Sequence, residues 1–196
     1  SDVCSSDLTS SHVFSLVPSA LNWSLIDRKN APQFFPETYV NSLGKASVGL
    51  NELKSPYILC FHSTAREAKR WPNADWIALG KELSSRGYQM VLPWGNVAEQ
   101  SVSREIAAQI PNALVPPAFS IEDAFGVIAG AALTVGVDTG LTHLAAVLNK
   151  PTVEIYCDSP LWKTEGYWSK NIRNVGDIQK PPTVSEVLQA VSELLP

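Results

Sequence analysis

This chain of 196 residues is short of charge: Asp, Glu, Lys and Arg make up 17% of it and leave a net charge of −4. A surface with no cationic excess argues against a nucleic-acid partner, because phosphate contacts need one. Cysteine is scarce as well. Cys4, Cys60 and Cys157 are widely spaced and odd in number. That rules out a cysteine-rich zinc site, argues against a disulfide scaffold and fits a reducing cytosol. The sequence shows no other cluster with metal-ligand spacing. No apolar run nears the ~20 residues that span a bilayer. Nor does a basic stretch lead into an apolar core, so no signal peptide is expected. Any membrane association would be peripheral. What is present is 45% hydrophobic residues, enough for one sizeable core with an appendage.

Residues 1–55 read as an irregular segment or linker, the remnant of a further domain. Ser1-Asp-Val-Cys-Ser-Ser-Asp-Leu8 has no period and resembles translated adapter DNA, so the natural gene is expected to continue upstream. Pro18, Pro32 and Pro36 break up residues 10–50, with one short helix expected from about Phe35 to Leu43. From residue 56 to 196 the pattern is regular. Strand-like runs fall at 57–62, 88–92, 113–115, 133–137 and 152–156. Helices are expected from 73 to a stop at Gly87, from 98 to 110, after a capping box at Ser120–Asp123, over 141–148, and from Thr183 onward with Glu186 three residues on. Strands alternating with helices imply an α/β, Rossmann-like parallel sheet with helices on both faces. Ligands of such sheets bind beyond the carboxyl ends of the strands.

The stretch Thr134-Val-Gly-Val-Asp-Thr-Gly-Leu-Thr-His-Leu-Ala-Ala-Val-Leu148 organises the rest. A buried strand meets a tight turn at Asp138-Thr139-Gly140. Leu141, Leu144, Ala145 and Leu148 then mark one helix face. Asp138 or Thr139 can cap that helix, and its free amides and dipole suit a diphosphate. His143 lies one turn in, within reach of a phosphate or sugar hydroxyl. Taken alone, the stretch fits any well-capped strand-to-helix turn. Its neighbours add weight. The other strand ends carry His62-Ser-Thr-Ala-Arg-Glu-Ala-Lys-Arg-Trp-Pro72, Pro93-Trp-Gly-Asn-Val-Ala-Glu99, Pro116-Pro-Ala-Phe119 and Cys157-Asp-Ser-Pro160. Hydroxyls and Lys69 suit phosphates, Glu99 suits ribose hydroxyls, and Trp94 with Phe119 can flank a base. The plainer readings are a solvated pair for Lys69 and Arg70, a helix-entry anchor for Trp71 and Pro72, and a helix N-terminal acid for Glu99. Together the five polar strand ends favour a nucleotide-type ligand.

The combination Lys69-Arg-Trp-Pro72, Leu92-Pro-Trp-Gly95 and Val137-Asp-Thr-Gly-Leu-Thr-His143 resembles the ADP-heptose glycosyltransferases of glycosyltransferase family 9. The Leu-Pro-Trp-Gly run favours the type I branch over type II. The resemblance covers roughly Pro56 to the C-terminus, including Tyr156 to Pro160 and Gly166 to Asn171. It implies the C-terminal, donor-binding half of a two-domain GT-B enzyme. By this resemblance Thr64 and Lys69 meet the donor's phosphates and sugar, and Glu99 the adenosine ribose. Phe119 lines the base pocket and Asp138 binds heptose hydroxyls. Thr139 and Gly140 cradle the diphosphate, with His143 beside them. Ala65 stands where the family often has a second Thr, a departure that removes one phosphate hydrogen bond worth about 1 kcal/mol.

The implied reaction is inverting and metal-independent, with no cofactor. A hydroxyl of Kdo2-lipid A attacks ADP-L-glycero-β-D-manno-heptose, and ADP leaves. The implied setting is cytoplasmic, at the inner membrane of a Gram-negative bacterium. The catalytic base is expected on a missing N-terminal acceptor domain, and neither Asp2 nor Asp7 is assigned to the role. Two other readings stay open: an ADP- or ADP-sugar-binding fragment without turnover, and another GT-B protein such as a type II heptosyltransferase, a UDP-sugar transferase or an epimerase.

Overall fold

The computed structural model describes residues 53, 54, 56–167 and 169–195. The short helix expected from Phe35 to Leu43 and the readings of residues 1–50 lie outside these. Five strands form one parallel sheet: β1 (Tyr57–Phe61), β2 (Gln89–Val91), β3 (Leu133–Val137), β4 (Thr152–Tyr156) and β5 (Ile172–Gly176), ordered β2-β1-β3-β4-β5. The helices are α1 (Asn73–Ser85), α2 (Val97–Ala107), α3 (Ile121–Gly130), α4 (Gly140–Val147), the single turn α5 (Leu161–Thr164) and α6 (Val184–Leu194). A short 3-10 turn covers Glu67–Lys69.

The period of 2 along β1 explains the layering. Ile58 and Cys60 point into a core shared with Trp76, Leu79 and Leu83 of α1, Ile106 of α2, and Val187 and Val191 of α6. Tyr57, Leu59 and Phe61 point the other way, onto Ala124, Val127 and Ile128 of α3 and Leu144, Ala145 and Leu148 of the α4 region. Both sheet faces are thus covered, which is why the strands read as continuous apolar runs. The expected α/β architecture is the observed one.

Two strand expectations need correction. Residues 113–115 form no strand; a single parallel bridge joins Leu114 to Val91. Leu114 N–H donates to Met90 O at 2.8 Å and Leu92 N–H donates to Leu114 O at 2.9 Å. Pro116 and Pro117 come directly after and remove the donors that a longer ladder needs. Conversely, the apolar pattern does not mark β5. Ile172-Arg-Asn-Val-Gly176 is an edge strand, mostly half-buried, so its composition carries little of the apolar signal. Counting the bridge as a vestigial strand beyond β2, the order is that of the doubly wound dinucleotide folds, which reverses between β1 and β3. The site is expected at that crevice.

Local signals set the ends. Gly87 stops α1 with a φ of 85°. Ser120 with Asp123, and Thr183 with Glu186, form reciprocal capping boxes on α3 and α6. At Gly136, in β3, a Cβ would overlap Thr142 Oγ1 and lie 3.1 Å from Phe61 Cβ. The absent side chain lets α4 seat against the sheet, where Thr142 Oγ1 donates to Val137 O at 2.8 Å. α4 is buried almost all round, with Thr142, His143 and every residue from Leu144 to Val147 enclosed. The expected single apolar face is only part of that, because α4 also packs against β4.

Candidate functional site at the β1–β3 crevice

β1 ends at Phe61 and β3 at Val137, and the loops leaving them meet. Thr64 lies just past β1 and donates through Oγ1 to Asp138 O over a long 3.5 Å. The 3-10 turn then brings Lys69 back over the strand end. Trp71 fixes that turn: it is enclosed, donates from Nε1 to Pro182 O at 2.8 Å, and meets Trp76 edge-on at 5.1 Å. Trp71 and Pro72 are therefore the structural anchor, with Pro72 as N-cap of α1, and Lys69 is the member of that run that bonds to Asp138.

Lys69 Nζ donates to Asp138 Oδ2 at 2.6 Å. The other oxygen, Oδ1, accepts from His143 Nε2 at 2.8 Å and from Thr164 Oγ1 at 3.4 Å. Across the ring, His143 Nδ1 donates to Glu154 Oε1 at 3.1 Å. Glu154 Oε2 accepts from the Tyr156 hydroxyl at 3.0 Å and the Gly166 amide at 2.9 Å. The result is a chain of alternating charge, Lys69–Asp138–His143–Glu154, running from the half-exposed rim into the protein. Side-chain exposure falls along it, from 19% at Lys69 to 7% at Asp138 and from 6% at His143 to 0% at Glu154.

Burial by itself would push the His143 pKa down, but the Glu154 charge and the hydrogen bonds to Asp138 and Glu154 raise it to about 10. Burial would raise that of Asp138, yet hydrogen bonds from His143 and Lys69, with Ser159 close by, hold it well below the ordinary carboxylate value. These contacts favour the imidazolium form of His143 and the carboxylate form of Asp138 at neutral pH. Both ring nitrogens of His143 serve carboxylates, so the imidazole acts on the crevice through Asp138 rather than offering a nitrogen to a ligand. His62, at the end of β1, is the contrast. Its Nε2 lies 2.7 Å from Ser103 Oγ and its Nδ1 3.0 Å from Ser63 Oγ. Burial, with the nearby Arg70 charge, pushes its pKa down to about 4, so it stays neutral.

Thr139 is the N-cap of α4, and its side chain makes no cap hydrogen bond. Asp138 does not cap either, being committed to His143 and Lys69. The first-turn amides of α4, from Gly140 on, thus keep the positive end of the dipole without a side-chain cap. Of the residues expected in the site, Thr64, Lys69, Asp138, Thr139, Gly140 and His143 are gathered here. Glu99 lies in the first turn of α2, after β2, and Phe119 in the loop that follows the Leu114 bridge. Glu99 heads α2, where its Oε2 accepts from Gly95 N–H at 2.7 Å and its own amide donates to Asn96 Oδ1 at 3.0 Å. Phe119 is half-buried against the second core. Trp94 donates from Nε1 to Pro116 O at 2.9 Å, tying those two loops together.

Sequence reasoning missed Glu154, Tyr156 and Thr164. The signal for Glu154 was an acid inside Thr152-Val-Glu-Ile-Tyr156, a strand buried at every position. An enclosed carboxylate needs partners.

Comparison with known proteins gives a consistent result. The sequence profile of glycosyltransferase family 9 (heptosyltransferase) matches residues 18–191. Lipopolysaccharide heptosyltransferase 1 of Pseudomonas aeruginosa is 41% identical over 102 residues, 52% of this chain and 29% of that protein. Among solved structures, E. coli heptosyltransferase WaaC with ADP aligns with a TM-score of 0.67 at 31% identity, covering 74% of this chain and 47% of that one. E. coli ADP-heptose lps heptosyltransferase II aligns at 0.65 and 26% identity, covering 81% and 50%. The chain therefore spans half or less of the length of these relatives. Among the described residues, no helix is long and apolar enough to cross a membrane.

Proposed function

The chain belongs to glycosyltransferase family 9, the heptosyltransferases, and from that premise we propose that residues 56–196 form the ADP-sugar-binding domain of a lipopolysaccharide heptosyltransferase. The whole protein moves L-glycero-D-manno-heptose from ADP-heptose to Kdo2-lipid A in inner-core synthesis. It does so in the cytoplasm, as a peripheral protein at the inner membrane. The observation that carries the reading is the Lys69–Asp138–His143 cluster, seated where the strand order reverses and beside the uncapped start of α4.

The chemistry is set by charge. As the bond from the anomeric carbon to the diphosphate breaks, negative charge grows on the leaving phosphate. Positively polarised groups placed in advance stabilise it. Lys69 has three N–H donors and uses one on Asp138, so it can hold Asp138 and a phosphate oxygen together. The α4 amides supply a second positive pole, and the Thr64 hydroxyl a further donor. Asp138, kept ionised, accepts from sugar hydroxyls, while Glu99 and Phe119 take the ribose and the base. The base for the attacking hydroxyl belongs to the acceptor half, on a domain preceding this one.

Calorimetric titration of the chain with ADP and, in parallel, UDP tests this reading. ADP binding with little UDP binding is the expected result. A preference for UDP overturns the heptosyltransferase assignment in favour of another GT-B nucleotide-sugar protein. A second reading rests on chain length: with half or less of its relatives' length present, the chain alone binds donor without turnover. Heptose transfer by the isolated chain would refute that.

A further inference from the structure

Glu154 is the residue that the proposed chemistry leaves unused, and it is the most deeply placed charge in the cluster. We propose that Glu154 is a positioning residue of the donor site: with Asp138 it clamps His143 as a doubly protonated imidazolium, and through it fixes Asp138 and the segment 161–166 over the crevice. This rests on the cluster being the donor site.

With both acids ionised, the geometry leaves one proton arrangement. His143 sits between Oδ1 of Asp138 at 2.8 Å and Oε1 of Glu154 at 3.1 Å. A carboxylate only accepts, so each ring nitrogen must donate. A neutral ring would set a lone pair against one carboxylate inside a closed site. Among the described residues, the groups bonded to His143 or to its two carboxylates come from several elements. Glu154 and Tyr156 come from β4 and Asp138 from the β3–α4 turn. Behind Asp138 stand Lys69 from the turn after β1, Thr164 from α5, and Ser159 from the loop after β4. Within that set the one cation touching Glu154 is His143. The other Glu154 oxygen takes the Gly166 amide, while Thr164 reaches Asp138. The turn carrying Thr164 to Gly166 is therefore held to the site from both ends of the imidazolium. A Cβ at Gly166 would lie 2.8 Å from Ile172 Cδ1 and 3.4 Å from Glu154 Oε2, so a side chain there would have to displace Ile172. It follows that His143 is no proton carrier in the reaction. It is a fixed charge, and Glu154 fixes it.

Two measurements test this. The first is ¹⁵N NMR of the ring nitrogens in the ligand-free chain, which has three histidines. Both His143 nitrogens are expected to stay protonated up to pH ~8.5, well above the ordinary histidine value. A neutral tautomer below about pH 8 overturns the proposal. The second is ADP affinity against pH for the natural chain and Glu154→Gln, taken as a ratio so that the titration of ADP cancels. With one carboxylate partner left, His143 is expected to titrate, and the ratio to change by about tenfold between pH ~6 and ~8.5, the effect of one charge-assisted interaction. A ratio constant with pH, even at uniformly lower affinity, overturns it, because a merely structural role gives that result. If the natural chain binds no ADP, the donor-site reading fails, and the NMR measurement still decides the state of His143.

Discussion

Asp138 and Lys69 differ in what their removal does, although they form one ion pair. Asp138 is enclosed and faces His143, Lys69 and Thr164. Truncating it removes one of the two carboxylates that hold the buried His143 and leaves Glu154 as the other; breaking a buried pair by removing one partner costs about 3–5 kcal/mol. Lys69 stands at the rim, and its loss leaves Asp138 still paired with His143. Lys69→Ala is therefore expected to lower ADP affinity about tenfold or more, the value of a charge-assisted phosphate contact, while melting shifts by only a few degrees. Calorimetry and thermal unfolding of the two variants check this. Equal losses of affinity and melting temperature for Lys69→Ala would make it a structural residue. At this scale the turn residues were legible because they are contiguous: Asp138, Thr139, Gly140 and His143 sit in one strand-turn-helix. Glu154 was not. Its meaning depends on α4 lying across β4, which no local pattern states.

At the scale of the element, α6 carries its own start signal. Thr183 Oγ1 accepts from Glu186 N–H at 3.3 Å, and Glu186 Oε2 accepts from Thr183 N–H at 2.7 Å. The cap is exposed and its two side chains bond to each other, whereas Val187 and Val191 are enclosed in the first core. Thr183→Ala is expected to destabilise the chain by about 1 kcal/mol and leave ADP affinity unchanged. Denaturant unfolding and titration measure the two effects separately. Both capping boxes, the Gly87 stop and the limits of β3 and β4 were readable in sequence, because each depends on residues a few positions apart. β5 and the lost strand at 113–115 were not. An edge strand is defined by the neighbour it pairs with, and Arg173 and Asn174 dilute its apolar signal.

For the whole molecule, the two buried histidines among the described residues set opposite slopes of stability with pH. His62 has its folded pKa lowered to about 4 from an ordinary 6.5. Its contribution is present above 6.5 and is lost as pH falls through 4. Asp138, also depressed, loses its contribution as pH falls further still. His143 is raised to about 10 from the same 6.5. Its contribution is complete below 6.5 and is lost as pH climbs toward 10. Stability is therefore expected to peak near pH ~6.5 and to fall above it by at most about 1.4 kcal/mol per pH unit for one proton. Buried Cys60 and Cys157, both with raised pKa values, add to the loss above about pH 9, the range of an ordinary thiol. Unfolding free energy measured from pH ~5 to ~8.5 tests this, and a stability that keeps rising above neutrality would contradict the imidazolium assignment. The sequence by itself determined the α/β class, the parallel sheet, the cap-defined helices and the turn at the candidate site. Each rests on short-range periodicity or on hydrogen bonds between near neighbours. Only the tertiary structure decided that β5 closes the sheet, that Trp71 anchors Lys69, and that His143 is shared between two carboxylates. Those facts depend on residues brought together from distant parts of the chain, where burial and charge, not local pattern, fix the outcome.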